Sequence, residues 1–312
     1  MTQTGAENYL YVINYQDNEE SLCSLEMLCL FNIAIPDKWF FSAIDVFPSR
    51  SVFIKYRINV MLIAGSLESI EDAIRANNLV IKKFKFLYVN IDNNEMEYGF
   101  WKRCVGGICA ALNKAENHEN PEIFLGIVKV EGKWIFGACE RNRNEWRYHE
   151  SKPNTNSHSL GVRVARSIVN IVIENNFDLS IVDPCCGVGT VVIEAASMGL
   201  KIKGYDINKK IAELAKENLA FFGINNVIEC KDMHAIEDHF NVSIADIPYG
   251  LFTAVSLTDQ IEIIKTVRRI SAKSIIITFD NMENIITETG FNIINRCHVS
   301  KGRFTRYINV CT

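Results

Sequence analysis

At 312 residues and 48% apolar content, the chain is long enough for two domains that each bury a core. Its 33 Lys and Arg stand against 37 Asp and Glu, a net charge of −4, which excludes a generally basic nucleic-acid-binding surface. The balance is 16 basic to 20 acidic residues in 1–150 and 17 to 17 in 151–312, so any contact with nucleic acid is local. No run of about 18 apolar residues occurs, and Met1 to Asn8 is polar with no basic-then-apolar leader, so the expectation is a cytoplasmic protein without a membrane segment. The ten cysteines are scattered and form no C-x-x-C pair, which predicts reduced thiols and no metal site.

In chain order, Tyr9 to Tyr15 has strand composition, and Glu19 to Phe31 places Leu22, Leu25 and Leu28 at helical spacing. Ser51 to Ala64 reads as a strand. Leu67 to Asn77 reads as a helix capped by Ser66, with Glu68, Glu71 and Asp72 in its early turns. Phe84 to Ile91 predicts a strand, Glu97 to Leu112 a helix, and Glu122 to Cys139 a hairpin turning at Glu131-Gly132. This half, residues 1–140, is expected to be a smaller α+β domain for binding or docking.

Residues 141–158 read as a linker, in which Arg141, Arg143, Trp146, Arg147, Tyr148 and His149 interleave cations and aromatics. Such a mixture suits stacking on bases, and a surface linker with a tucked-in Trp fits it equally. Two basic clusters, Lys82-Lys83-Lys85 and Arg296, Lys301, Arg303, Arg306, are either solvated faces or local nucleic-acid contacts. The second is expected to contribute to nucleic-acid binding.

Residues 159–312 form the second expected domain. Leu160, Val164, Ile168 and Val172 describe a helix, after which strands (179–182, 201–205, 226–230, 242–246, 274–279) alternate with helices (190–198, 208–222, 258–270). Strict alternation predicts a parallel sheet covered on both faces. Segments 290–297 and 304–310, joined through Ser300-Lys301-Gly302, predict an antiparallel pair at one edge.

The stretch Val182-Asp183-Pro184-Cys185-Cys186-Gly187-Val188-Gly189-Thr190 joins a strand to a helix through a glycine-rich turn. Glycine opens backbone angles closed to other residues and lets a ligand approach the main chain. The free N–H groups of the helix start add donors. A dinucleotide fingerprint wants a third glycine where Val192 stands, and Asp183 would repel a pyrophosphate. It suits instead a ligand with an amine and a sulfonium, such as S-adenosylmethionine. A turn with no ligand is the bland alternative.

Ligands of such sheets bind beyond the carboxyl ends of the strands. Four carboxylates fall there: Asp183, Asp206, Asp232 and Asp246. Asp206 lies 17 residues past Gly189, near the position that takes ribose hydroxyls, with Ile207 beside it. Asp232, next to Met233, is placed to accept from an adenine amine, although a strand-end Asp is also an ordinary turn-former.

Asp246-Ile247-Pro248-Tyr249 is the sharper signal. The amine of a base is a poor nucleophile because its lone pair is drawn into the ring. Acceptors on its two N–H bonds, here Asp246 and the carbonyl of Ile247 or Pro248, would localise that pair, and Tyr249 would hold the base flat. Direct in-line transfer would then gain mostly from positioning.

Asp183-Pro184-Cys185-Cys186-Gly187-Val188-Gly189-Thr190 resembles the D-P-x-C-G-x-G-T loop of the tRNA guanine-N2 methyltransferases that carry an N-terminal THUMP domain. Ala245-Asp246-Ile247-Pro248-Tyr249-Gly250 resembles their D-P-P-Y-G loop, with Ile247 in place of the first proline. The segment from Lys152-Pro153 through His158-Ser159-Leu160 to Arg163-Val164-Ala165-Arg166 is similar to the stretch before their cofactor loop. The resemblance covers roughly 150–312.

It implies a Rossmann-like, mostly parallel methyltransferase sheet with an antiparallel C-terminal hairpin, and S-adenosyl-L-methionine as cofactor. Asp183, Pro184, Cys186, Gly187, Gly189, Thr190, Asp206, Ile207, Asp232 and Met233 would bind the cofactor. Asp246, Pro248 and Tyr249 would be catalytic. The expected activity is N-methylation of a guanine amine in structured RNA, most of all tRNA, gripped by a THUMP-like N-terminal half. Ribosomal RNA guanine, DNA adenine, and a non-catalytic RNA-binding protein with a residual cofactor site are the alternatives.

Overall fold

The computed structural model describes residues 9–34, 37–91, 96–156, 159–225, 227–249, 255–301 and 304–312. His158, Gly250, Gly302 and Arg303, singled out above, lie outside the described residues. In chain order the elements are β1 (Tyr9–Ile13), α1 (Glu20–Phe31), β2 (Trp39–Ser42), β3 (Ile54–Ala64), α2 (Leu67–Ala76), β4 (Phe84–Phe86), α3 (Tyr98–Ala111), β5 (Ile123–Val130) and β6 (Lys133–Arg141). They continue as α4 (Val162–Ile173), β7 (Ser180–Asp183), α5 (Thr190–Ser197), β8 (Lys201–Asp206), α6 (Lys209–Phe221), β9 (Ile228–Cys230) and β10 (Phe240–Asp246). The last are α7 (Leu257–Ile270), β11 (Ser271–Thr278), α8 (Glu283–Glu288), β12 (Ile293–Lys301) and β13 (Phe304–Cys311).

Two compact units result, one of residues 1–14 and 35–143, the other of 15–34 and 144–312. The first is a six-stranded sheet in the order β2-β1-β3-β6-β5-β4. All its pairings are antiparallel except β4 with β5. One core is built by Ile70 and Ile74 of α2, Trp101 and Ile108 of α3, and Phe84, Leu125 and Phe136 of the sheet. A second gathers Leu10, Val12, Ile58, Val128 and Ile135. The expected hairpin turns at Glu131 and Gly132, both at positive φ (48° and 78°). Ser66 caps α2, its hydroxyl accepting from the Ser69 N–H at 3.1 Å.

Three expectations shift here. The strand 84–91 stops at Phe86, because the chain beyond it bonds to β5 only through the Leu87 N–H to the Leu125 carbonyl. Strand β2, too short to show a period, was not expected. Helix α1 belongs to the other unit, whereas its place in the chain suggested the N-terminal domain. The reason is polar as well as apolar: Glu26, fully buried on α1, accepts from the Asn170 side-chain amide of α4 at 2.8 Å. Glu19, just before it, receives Arg163 in two bonds of 2.6 and 2.7 Å.

The second unit is a seven-stranded sheet, β12-β13-β11-β10-β7-β8-β9. Strands β9, β8, β7, β10 and β11 run parallel, and β13 and β12 close the edge antiparallel. This is the Rossmann-like plan expected from the alternation. Parallel strands need crossover helices on both faces, so the middle of the central strands is apolar. Ile181, Val182, Ile244, Ala245, Ile275, Ile276 and Ile277 are all fully buried.

The segment expected as a linker is tied to this second unit from Asn144 onward. Trp146 is buried, with the guanidinium of Arg163 5.4 Å from its ring centroid, so the tucked-in reading holds and no base can stack on it. His149 bonds to Glu194 of α5 at 2.6 Å, and Glu194 also accepts from Arg166 at 3.1 Å. Among the described residues no helix is long and apolar enough to cross a membrane, and no group of three or more His, Cys, Asp and Glu side chains forms a metal site.

Candidate active site

The chain order of the second sheet reverses at β7, which has β8 on one side and β10 on the other. At such a reversal the loops after neighbouring strands leave in opposite directions and open a crevice at the strands' carboxyl ends. A cavity of about 390 Å³ lies there. It brings together Asp183, Cys186, Gly187 and Thr190 from the glycine-rich loop with Asp246, Pro248 and Tyr249 from the loop after β10.

On the first side the loop is held by its own backbone. The Cys186 N–H donates to the Tyr205 carbonyl at 2.8 Å, and the Gly187 N–H to Oδ2 of Asp206 at 3.1 Å. The other oxygen of Asp206 accepts from the Asn208 N–H at 2.8 Å. The carboxylate expected to take ribose hydroxyls thus also fastens the loop, and each oxygen keeps a second lone pair. Gly187 has φ 53°, and a Cβ added there would meet nothing within 4 Å. Gly189 is constrained differently: its φ is 85°, and a Cβ would sit 2.7 Å from Leu219. Gly189 therefore shapes the turn and the close packing of α5 on α6 without lining the cavity.

Asp183 is buried and accepts from the Cys185 N–H at 3.3 Å. Burial pushes its carboxyl well above the ordinary range, and the charges of Asp246 and Asp206 push the same way. The thiols of Cys185 and Cys186 are raised by burial and by the same carboxylates. They are packing groups of the loop: Cys185 donates to the Met233 sulfur at 3.5 Å. The buried Thr190 hydroxyl, at the first turn of α5, has no partner.

On the second side, Asp246 ends β10, and its Oδ1 is buried without a hydrogen-bond partner among the described residues. Burial raises its carboxyl to about 7, against the pull of Arg306. The Ile247 N–H is fixed to the Ile277 carbonyl at 2.9 Å. The Pro248 carbonyl accepts from Gln260 at 2.9 Å, which leaves it one lone pair for a ligand. The Tyr249 ring lines the cavity and lies 3.6 Å, centroid to centroid, from Phe279.

The remaining residues expected in the site lie elsewhere. Asp232 is exposed and caps the turn after β9, accepting from the His234 N–H at 2.9 Å, and Met233 is buried in the core. Pro184 is buried beneath the loop, and Ile207 is 72% exposed beside it. None of the four lines the cavity, and neither does Asp206, which holds the Gly187 turn instead.

Residues not singled out for the site also take part. Asn156, Ser159, Leu160, Asn208 and Ile211 line the cavity. The fully buried Asn218 donates to the Val188 carbonyl at 2.9 Å and to the Asn154 carbonyl at 2.8 Å, and accepts from the Asn154 N–H at 2.7 Å. It clamps the glycine loop to the segment before α4. Its one signal in the sequence is an amide among the apolar positions of a helix.

Residues 150–261, within the second unit, match the UPF0020 family model, described as an RMKL-like methyltransferase domain. The chain is 28% identical over 173 residues to the tRNA (guanine(10)-N2)-dimethyltransferase of Pyrococcus abyssi, covering 53% of this chain and 51% of that one. To the protein of the same name from Methanothermobacter thermautotrophicus it is 33% identical over 141 residues, 43% of this chain and 41% of the other. The chain spans about half the length of the curated relatives it matches. Among solved structures, SMU.472 complexed with SAH aligns over 98% of both chains with a TM-score of 0.50 at 15% identity, which shows a common fold.

Proposed function

We propose that this chain is an S-adenosylmethionine-dependent N-methyltransferase acting on the exocyclic amine of a guanine in structured RNA, tRNA first. The observation that carries the reading is the unpartnered Oδ1 of Asp246, held at the end of a parallel strand in one cavity with the Pro248 carbonyl and Tyr249. A buried acceptor without a donor costs about 1–3 kcal/mol. A base amine supplies the missing donor.

The cofactor side fits the group. Asp183 lines the cavity with acceptor oxygens that an ammonium would meet, the Thr190 hydroxyl has no partner among the described residues, and the space at Gly187 admits a ligand against the backbone. The bound cofactor supplies an electrophilic methyl. Asp183, Cys186, Gly187 and Thr190 would hold it, with Asp206 fastening the Gly187 turn.

The chain's own residues then do three things. Asp246 as carboxylate accepts one amine N–H, and the Pro248 carbonyl, with its spare lone pair, accepts the other, which localises the nitrogen pair. Tyr249 holds the base plane by stacking. As the N–C bond forms, the amine must lose a proton, and a carboxyl near 7 is matched to receive it at Oδ1.

The first unit is proposed to hold the RNA, as the THUMP-like reading implies. Support comes from cations laid on aromatic rings around a cavity of about 420 Å³ lined by Phe100, Arg103, Lys129 and Trp134. Arg103 lies 5.5 Å from the Phe100 ring and Lys129 5.9 Å from Trp134, a combination suited to bases and phosphates.

The test is transfer of labelled methyl to total tRNA, ribosomal RNA and DNA, wild type beside Asp246→Ala, with nucleoside digestion of the product. The expected result is label in N2-methylated guanosine from tRNA and none with the variant. Cofactor binding without transfer to any of the three pools would overturn the catalytic reading.

A further inference from the structure

The acceptor side of the cavity is backed by groups that do not line it. Asp246 pairs with Ile277, and Thr278 with Tyr307, so Phe279, one residue past the end of β11, falls between the loop after β10 and the start of β13. Its ring lies 3.6 Å from that of Tyr249 at an interplanar angle of 34°. The guanidinium of Arg306, on β13, sits 5.0 Å from the Phe279 centroid. Phe304 meets the same ring edge-on at 6.0 Å. Tyr249 lines the cavity and Phe279 does not, so Phe279 supports Tyr249 from outside.

Arg306 reaches a second target. The titratable and charged groups facing Asp246 are Asp183 at the end of β7, Cys185 in the glycine loop, Tyr249 on its own loop and Arg306 on β13. The cation in this set is Arg306. Without it, burial and the neighbouring carboxylate would both favour the protonated Asp246, which donates where a base amine needs an acceptor.

We propose that Phe279 and Arg306 are positioning residues for the acceptor base: Phe279 backs the Tyr249 ring, and Arg306 stacks on Phe279 while presenting positive charge to the Asp246 carboxylate. The inference rests on the reading of Asp246 as the group that accepts from the amine. It assigns the antiparallel edge of the sheet a part in the chemistry, since β13 brings the cation to the end of a parallel strand.

The experiment is kcat/KM for methyl transfer between about pH 5.5 and 9.5 for wild type, Arg306→Gln, Arg306→Lys, Phe279→Ala and Phe279→Tyr. Losing the guanidinium moves the acid limb of Arg306→Gln upward by about one pH unit, which is roughly a tenfold loss below the limb, recovered at high pH. Arg306→Lys keeps the limb in place. Phe279→Ala raises KM for RNA about 3–10-fold at unchanged cofactor affinity, and Phe279→Tyr restores it. A fall by the same factor at every pH in Arg306→Gln, or equal weakening of RNA and cofactor in Phe279→Ala, would overturn the inference. If the wild type methylates no nucleic acid, the proposed function fails by itself, and the carboxyl of Asp246 is titrated directly by carbon-13 NMR. An upward shift of its midpoint in Arg306→Gln supports the contact; an unmoved midpoint sinks it.

Discussion

The two sides of the cavity are built on opposite principles. On the glycine-loop side the main chain is tied down before any ligand arrives: Gly187 to Asp206, Cys186 to Tyr205, Val188 to the buried Asn218. The Asp246 side keeps a buried oxygen without a donor and a carboxyl raised to about 7. The contrast teaches that a cofactor bound in every turnover is met by a preformed cradle. Raised carboxyls stand on both sides, Asp183 on the first and Asp246 on the second, as perturbed groups at functional sites do, so what separates the two sides is the tied-down main chain of the first.

The sharpest way to break this comparison is Asp246→Asn. Methyl transfer should fall by at least about 10²–10³, the scale of losing a positioned acid–base group, while cofactor affinity, measured by calorimetry, stays within about twofold of wild type. A parallel loss of cofactor binding would show that the two sides are one structure.

Next in size is Gly189→Ala. The added Cβ meets Leu219 at 2.7 Å and the φ of 85° is closed to it at low cost, so about 1–3 kcal/mol of stability should be lost together with cofactor affinity. Gly187→Ala, whose Cβ meets open space, should keep more of its stability and still lose affinity. Chemical denaturation and ligand titration separate the two. Asn218→Leu should cost about 1–3 kcal/mol, by leaving the Val188 and Asn154 groups unpartnered.

A further effect is on stability against pH. The folded-state value of Asp246 is raised from an ordinary 3.8 to about 7, so the folded protein binds the extra proton in that window. The group costs nothing below about pH 4, and its penalty accumulates as the pH rises through 7. Asp246→Asn should therefore melt higher than wild type at pH 8, by about 2–4 °C for each kcal/mol relieved, with the gap closing toward pH 4. An inactive variant that is more stable at high pH would confirm that the catalytic side carries the strain.

Much of the second unit was legible in the chain. Alternation from residue 179 onward reports period and burial directly, and strands buried on both faces leave short apolar runs such as Ile275-Ile276-Ile277. The strand–glycine–helix passage and the aspartates after the strands follow from local rules as well. Asp232 and Met233 do not line the cavity: Asp232 caps a turn and Met233 packs in the core. Being next after a strand places a residue at the correct end of the sheet, but not on the side where the cavity opens. The Arg296 and Arg306 cluster read as a patch, yet Arg296 pairs with Glu283 and Arg306 lies over Phe279.

By itself the sequence determined most of the strands and helices, though neither β2 nor α8, as well as which turn needs glycine and which carboxylates stand beyond parallel strands, because these depend on neighbours a few residues away. Only the tertiary structure decided that α1 joins the second unit, that Asn218 clamps the glycine loop, and that Phe279 and Arg306 reach the Asp246 loop. Those contacts span from 30 residues to about half the chain. Periodicity records that a face is apolar, and the choice of partner is made by the packing of the whole sheet.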